Sequence, residues 1–568
     1  MSSLLRPQWA SVTGTVSDTG DHDPAVSAAS DTITAAGWTI VSRVTGLIRF
    51  AVIGAVLGPT FFGNTYQFLN ALPNLVFFGF LAGTLFPSLL APALVGHIDA
   101  DDRRASERVA GGFLGVTLVV LAVITPLAII LGPLALKVGA LGGGSQVSSA
   151  AQIHVGRLLI LMFIPQVFCY AIVGTAIAAM NSRHRFALAA GAPAVENLGT
   201  MAVLGATAVI YGTGPNVTNV PNGEILLLGL GSTAAVALHA ATQWWGAKRA
   251  GIVLLPRLGW RDPEVRVVIR RAIPSIAQAG LVALQTLVLL MLANREPGGV
   301  VAFQIALSFY QMAIWVGAAP VALTLTPRLA RMHLRGDLTA FRGTVVRGLA
   351  LGFFVTIPAA VGYLALAGPL ARAVSFGRMD SASGVTMVAV ALASLSVAVI
   401  AQTAFMILTY ASYAGKDTRS PLNATLVQAA VCLGLASTTL LVHGPAVLVV
   451  LGLTLSASIV AAAFHLAART WRNLSRPAAQ QLVPSLAKFL AGAAIMAGPA
   501  WVIATVVPHV IGRPLGPRVG MIAAALVGGT VFLTLQHLWG APELRWLAGG
   551  LTELRGRGGM VVAEATHG

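Results

Sequence analysis

The chain is 568 residues long, 56% hydrophobic and only 10% charged, with a mean hydropathy of +0.81. Soluble domains carry about 25% charged residues, so a water-soluble multidomain protein is excluded. The formal charge of +17 would suit a nucleic-acid partner, but the bases sit in short clusters between apolar runs and not on one basic face, which removes that class too.

Residues 1–33 are rich in Ser, Thr, Asp and Gly and form a polar tail, not a signal peptide, because no basic segment leads into a short apolar stretch. A helix needs about 20 apolar residues to cross the hydrocarbon core of a bilayer. Fourteen such runs follow: 34–58, 64–95, 109–132, 155–181, 188–212, 224–247, 273–294, 299–330, 345–371, 381–413, 421–443, 445–468, 485–508 and 519–540. With the N-terminus inside, 27 of the 36 Lys and Arg residues fall in inner segments and 7 in outer ones, and Arg43 and Arg49 lie within the first span. Basic residues favour the cytoplasmic side, so both termini are expected there. Within 248–271 (KRAGIVLLPRLGWRDPEVRVVIRR) the density of bases, with Trp260, predicts an amphipathic connector lying on anionic headgroups.

A faint internal repeat runs through the chain. AAMNSRHRF, followed by a span containing Pro193, parallels SYAGKDTRS, followed by Pro421. Pro87 likewise parallels Pro327. The offsets correspond to six spans, and paired halves around a binding site are a common transporter plan. We therefore expect an all-α polytopic membrane protein of about 14 transmembrane helices, with two pseudo-symmetric six-helix lobes and two C-terminal helices. Its parts are a polar tail (1–33), a first lobe (34–247), the inner connector (248–272), a second lobe (273–468), helices 13 and 14 (469–540) and a cytoplasmic tail (541–568).

Ionisable residues at membrane depth are costly and point to function. Arg43 and Arg49 are six residues apart, which sets their faces about 120° apart on one helix. They either border one wide cavity or, for a helix set off-centre, snorkel to an interface. Glu196, in PAVENLG, is the carboxylate we place within a span. It either pairs with an arginine of the first span or couples transport to an ion, with Asn197 beside it as a hydrogen-bonding neighbour. Alone in their spans, His239 and His465 have no second ligand three or four residues away, so no metal site is expected. Cys169 and Cys432 lie in apolar runs and suggest neither disulfide nor metal. The outer connections carry only Glu224, Glu296 and Asp380, scattered, the inner acids Asp99, Asp101, Asp102 and Glu107 are interleaved with arginines as a solvated loop, and a phosphate-cradling Gly-rich loop is missing, so an enzyme is not expected.

The stretch SRVTGLIRFAVIGAVLG, followed by LPNLVFFGFLAGTLFPSLLAPAL, resembles the opening of the MurJ/MviN lipid II flippase family of the multidrug/oligosaccharidyl-lipid/polysaccharide exporter superfamily. AAMNSRHRFALAAGAPAVENLG, AGIVLLPRLGWRDPEVRVVIRRAIPSIA and FGRMDSASG continuing to SYAGKDTRSP resemble it in the same order, so the likeness covers about 33–540. It implies two lobes around a central cavity, alternating access, a groove on the last two helices for a polyprenyl tail, and export of a polyprenyl-pyrophosphate-linked peptidoglycan precursor (lipid II) or a related lipid-linked glycan. An ion gradient or the membrane potential would drive it, with no cofactor. The implied partners are the lipid-linked precursor, membrane lipids and the cell-wall or division machinery, and the implied location is the bacterial cytoplasmic membrane. An excess of Arg over Lys, 32 to 4, agrees with a high-GC bacterial genome.

By the resemblance, Arg43 and Arg49 match the family's two cavity arginines of helix 1 and would contact the phosphate-bearing head, and Asn74 would shape the bend in helix 2. The chain also departs from the family. Phe50 replaces an Asp, Phe77 and Phe78 replace an Arg pair, Ala82 replaces an acid, and Ser308 stands where helix 8 carries an arginine. Fewer cavity arginines compensate a desolvated pyrophosphate less well, which leaves two rivals. One is an exporter of an amphiphilic drug or natural product that uses Glu196; the other is a non-transporting membrane scaffold.

Overall fold

A computed structural model describes residues 24–77, 90–139, 146–472, 476–512, 514–544 and 546. Apolar runs of this length become helices because hydrocarbon offers no partner for a backbone N–H or C=O, so each segment must satisfy its own. The helices are α1 (Pro24–Leu57), α2 (Phe61–Phe77), α3 (Ala91–Asp99), α4 (Arg103–Gly139), α5 (Gln146–Ser182), α6 (Phe186–Gly191), α7 (Pro193–Tyr211), α8 (Asn222–Arg249) and α9 (Pro263–Ala293). They continue with α10 (Gly299–Ala313), α11 (Ala319–Leu334), α12 (Leu338–Ala365), α13 (Ala367–Val374), α14 (Ala382–Ala414), α15 (Arg419–Ala436), α16 (Ala446–Arg472), α17 (Arg476–Ile511) and α18 (Gly516–Leu538). Thirteen spans among the described residues are long and apolar enough to cross a membrane, and each coincides with one of the fourteen expected runs. The remaining run, 64–95, is represented by α2, whose 17 residues end where 78–89 pass outside the described residues. The chain is thus a multi-pass helical membrane protein.

Several boundaries differ from the sequence reading for local reasons. Helix α1 starts ten residues before the expected span, on Pro24, a residue suited to a first helical position because it lacks an N–H. The span expected at 188–212 is broken at Ala192–Pro193, so that α7 begins afresh with Pro193 at its first position. Between α10 and α11 the span widens into a π-helical turn, Ile314–Ala318, that carries Trp315.

In the first half of the chain, α5 packs against α2, α4 and α8, while α7 packs against α1 and α8. In the second half, α14 is central, flanked by α10, α11, α12 and α16, with α15 on α16. In lipid, helix association relies on close approach and interhelical hydrogen bonds more than on apolar burial. At the α14–α16 contact Ser456 accordingly donates to the Ser394 carbonyl at 2.7 Å. The last pair, α17 and α18, pack on each other and dock on α12 through Phe354, Phe489 and Phe532.

The halves meet chiefly at one end. There Asn64 of α2 donates to the Glu296 carbonyl at 2.7 Å and accepts from the Val300 N–H at 3.0 Å. Asn294 donates to Gln152 at 3.1 Å. Gly298 sits at φ 77°, where a Cβ would collide with Pro59, so only glycine admits this approach. One apolar cluster, including Phe62, Tyr66, Phe303, Met379 and Leu392, crosses between the halves at this closed end.

The second meeting place is the connector. Residues 250–258 run without regular structure across α4, where Gly111 accepts from the Arg257 N–H at 2.9 Å and Gly115 leaves room for the Arg257 backbone. Asp262 then caps α9 by accepting from the Glu264 N–H at 2.9 Å, with Pro263 next, so the last third of the basic segment is already the start of a membrane helix. Arg108 of α4 reaches Asp262 at 3.2 Å and Glu264 at 3.3 Å, while His97 lies 2.6 Å from Glu264.

Candidate functional site: a charged junction of four helices

Pro193 starts α7, and this places Glu196 in its first turn, where unsatisfied N–H groups favour a carboxylate. The carboxylate is deep in the first half. Its Oε1 accepts from Arg49 Nη1 of α1 at 3.0 Å and from the Tyr170 hydroxyl of α5 at 3.0 Å. Its Oε2 lies 2.9 Å from Nδ1 of His239 on α8. The side chains of Arg49, Glu196 and His239 are 16%, 9% and 4% exposed, so the cluster is nearly dry. Since an ionised carboxylate only accepts, Nδ1 carries the imidazole proton. Gln243 Nε2, 3.5 Å from His239 Nε2, then faces the unprotonated nitrogen. The Arg49 and Glu196 charges cancel.

Asn74 of α2 is in hydrogen-bonding reach of the Tyr170 hydroxyl, which brings it to the edge of the same cluster. Asn197 does something different. Its Nδ2 donates to the Ser42 carbonyl at 3.2 Å and to Thr45 Oγ1 at 3.0 Å, pinning α7 to α1 one turn below Arg49. Arg43 stands apart from Arg49. Among the described residues it has no hydrogen bond or ion pair, and its guanidinium lies 4.6 Å from the ring centroid of Trp315, on the π-helical turn of the opposite half.

The five residues singled out from sequence therefore divide. Arg49 and Glu196 are bonded to each other, Asn74 approaches them through Tyr170, Asn197 ties helices together, and Arg43 is a separate cation between the halves. Ser308, where the resemblance places an arginine in the family, donates to its own helix at the Gln304 carbonyl, 2.8 Å away. Phe78 and Ala82 lie outside the described residues, as does the side chain of Phe77. The sequence reading took His239 only as a lone histidine without a metal partner and did not single out Tyr170, because their partner Glu196 is 43 and 26 residues away along the chain. It also placed Glu224 in an outer connection, whereas that residue is buried in the first turn of α8.

The fold is that of a family of solved helical membrane transporters. A solved structure of an inward-facing MATE family transporter of the MOP superfamily matches with a TM-score of 0.59, at 14% identity over 78% of this chain and 98% of that one. A structure of the lipid II flippase MurJ in an inward closed conformation matches with a TM-score of 0.68, also at 14% identity, over 89% of this chain and 98% of the other. At the sequence level, the probable lipid II flippase MurJ of Rhizobium tropici is 27% identical over 399 residues, spanning 70% of this chain and 73% of its own. The family described as lipid II flippase MurJ matches residues 53–513. The chain belongs to the lipid II flippase MurJ family.

Proposed function

We propose that this protein carries a polyprenyl-pyrophosphate-linked peptidoglycan precursor, lipid II or a related lipid-linked glycan, across the bacterial cytoplasmic membrane by alternating access. Both termini are cytoplasmic in this reading, and an ion gradient or the membrane potential supplies the drive. Family membership supports the cargo class, and the closed end described above supports a cleft that opens on one side at a time. The observation that carries the reading is Arg43: a guanidinium between the halves that, among the described residues, faces the Trp315 ring and is open to charge-assisted bonds with a phosphate oxygen. The rival reading, export of an amphiphilic drug or natural product through Glu196, needs a free carboxylate, and Glu196 is already shared among Arg49, Tyr170 and His239.

The test is complementation. A bacterium depleted of its own lipid II flippase, expressing this chain, should regain outer-leaflet lipid II. Arg43→Ala should abolish that rescue at unchanged membrane abundance. Rescue by wild type and Arg43→Ala alike would remove Arg43 from the site. A protein present in the membrane without any rescue would point to a different cargo or to a scaffold.

A further inference from the structure

The Arg49–Glu196–His239 junction has a property that a static ion pair lacks: it can gain one proton while Glu196 keeps each of its hydrogen bonds. We propose that Arg49 is an anion site held shut by Glu196 and opened by one proton taken up through His239, so that an anionic headgroup and a proton enter the cleft together. The inference rests on the cargo being anionic, as proposed above.

The proton balance is simple. A proton arrives at His239 Nε2, and the proton on Nδ1 passes 2.9 Å to Glu196 Oε2. Histidine ends neutral as the other tautomer, Glu196 ends as a neutral acid donating to Nδ1, and Arg49 keeps its charge with no counter-charge. The neighbour at Nε2 is suited to both states. Gln243 presents its NH2 to Nε2 in the present structure, and its Oε1 is buried without a hydrogen-bond partner. Rotating that amide by half a turn gives the newly protonated Nε2 an acceptor and the orphaned oxygen a donor, in exchange for the 3.2 Å bond that the Gln243 amide now donates to the Ala189 carbonyl. Arg49 is also under-used: its Nε is buried without a partner, and Glu196 engages only one of its terminal nitrogens. Displacing a carboxylate that Arg49 holds by one bond, in favour of a phosphate taken in fork geometry, increases its hydrogen bonding.

Five helices contribute a group to this balance. Arg49 comes from α1, Tyr66 and Asn74 from α2, Tyr170 from α5, Glu196 from α7, and His239 with Gln243 from α8. Among these only Arg49 is a fixed charge. The closed junction is therefore neutral and the protonated one carries +1. In a dry site this difference decides whether an anion is drawn in, because a neutral pair returns little for the water a phosphate must shed.

The experiment is calorimetric binding of undecaprenyl pyrophosphate to the full chain in nanodiscs, in two buffers of different ionisation enthalpy, from pH 6 to pH 8. Subtracting the Glu196→Gln variant removes the probe's own titration. The wild type is expected to take up one additional proton per probe bound and to lose affinity by about tenfold per pH unit on the alkaline side, the slope that one linked proton imposes. Glu196→Gln should bind tightly and independently of that proton, because its amide leaves Arg49 uncompensated. His239→Asn should keep a hydrogen bond to Glu196 but lose the linkage. In the wild type alone, infrared difference spectroscopy should show the C=O stretch of a protonated carboxyl appearing on probe binding, a readout that needs no variant to fold. Binding by the wild type with the same proton uptake as Glu196→Gln and no such band overturns the switch and leaves the cargo reading standing. Linkage that survives in His239→Asn overturns the relay role of His239. Failure of both wild type and Glu196→Gln to bind at any pH overturns the cargo reading itself.

Discussion

Arg43 and Arg49, one helix and six positions apart, show how little a residue's type says about its state. Arg49 is neutralised inside the first half, whereas Arg43 crosses to Trp315 on the second. Their substitutions should therefore separate. Glu196→Ala leaves the Arg49 guanidinium buried and unpaired, a change that costs about 3–5 kcal/mol where one partner of a buried pair is removed. The double variant Arg49→Ala/Glu196→Ala should recover most of that loss, and Arg43→Ala should lose less than about 1 kcal/mol, since Arg43 has no carboxylate to orphan. Thermal unfolding of the four proteins in the same detergent checks all three statements. Equal destabilisation by the Glu196 single variant and the double variant would mean that Arg49 is solvated well enough to stand alone.

At the scale of elements, the connector between the halves is held by backbone fit more than by its charges. The ion pairs of Arg108 with Asp262 and Glu264 are half exposed, with Arg108 52% open, and such pairs are worth about 0–1 kcal/mol. The passage of 255–259 over α4 instead depends on the absence of a side chain at Gly115, where any Cβ would run into the Arg257 backbone. Gly115→Val should therefore destabilise by about 1–3 kcal/mol, as overpacking of a tight contact does. It should also free the segment to proteolysis near Arg257, while Arg108→Ala leaves the cleavage rate nearly unchanged. Cleavage that responds to Arg108→Ala but not to Gly115→Val would reverse that ranking. The basic composition of 248–271 was legible as surface charge. That its last third is the capped beginning of α9 was legible only in the Asp262-Pro263 pair, which reads as a helix start once the helix is known.

At the scale of the molecule, the closed end is where alternating access must break contacts. Asn64 spans that end with both halves of its amide, to the Glu296 carbonyl and the Val300 N–H. Asn64→Leu removes both bonds and leaves a buried N–H without a partner, a loss of about 1–3 kcal/mol borne only by the closed state. The population should shift toward opening at this end by a factor of about ten. A cysteine placed at Phe303, fully buried in the cluster that joins the halves, reports the shift through its labelling rate with a membrane-impermeant thiol reagent. An unchanged rate would show that apolar packing alone holds this end.

Class and span positions were determined by the sequence by itself, because in lipid the backbone must close its own hydrogen bonds and a run of apolar residues has no other solution. Those rules are local, and thirteen of the fourteen expected runs coincide with spans of the described structure. The resemblance of ordered motifs carried the family in the same way, since it too is read along the chain. The site was only half legible. Arg43, Arg49 and Glu196 stood out because a charge in an apolar run is conspicuous, but which arginine meets the carboxylate depends on the rotation of α1 against α7, across 147 residues of sequence. His239 stood out only as a lone histidine, and Tyr170 carried no local signal at all. Their meaning lies in one carboxylate that four helices bring together, and only the tertiary packing of α1, α5, α7 and α8 decided that.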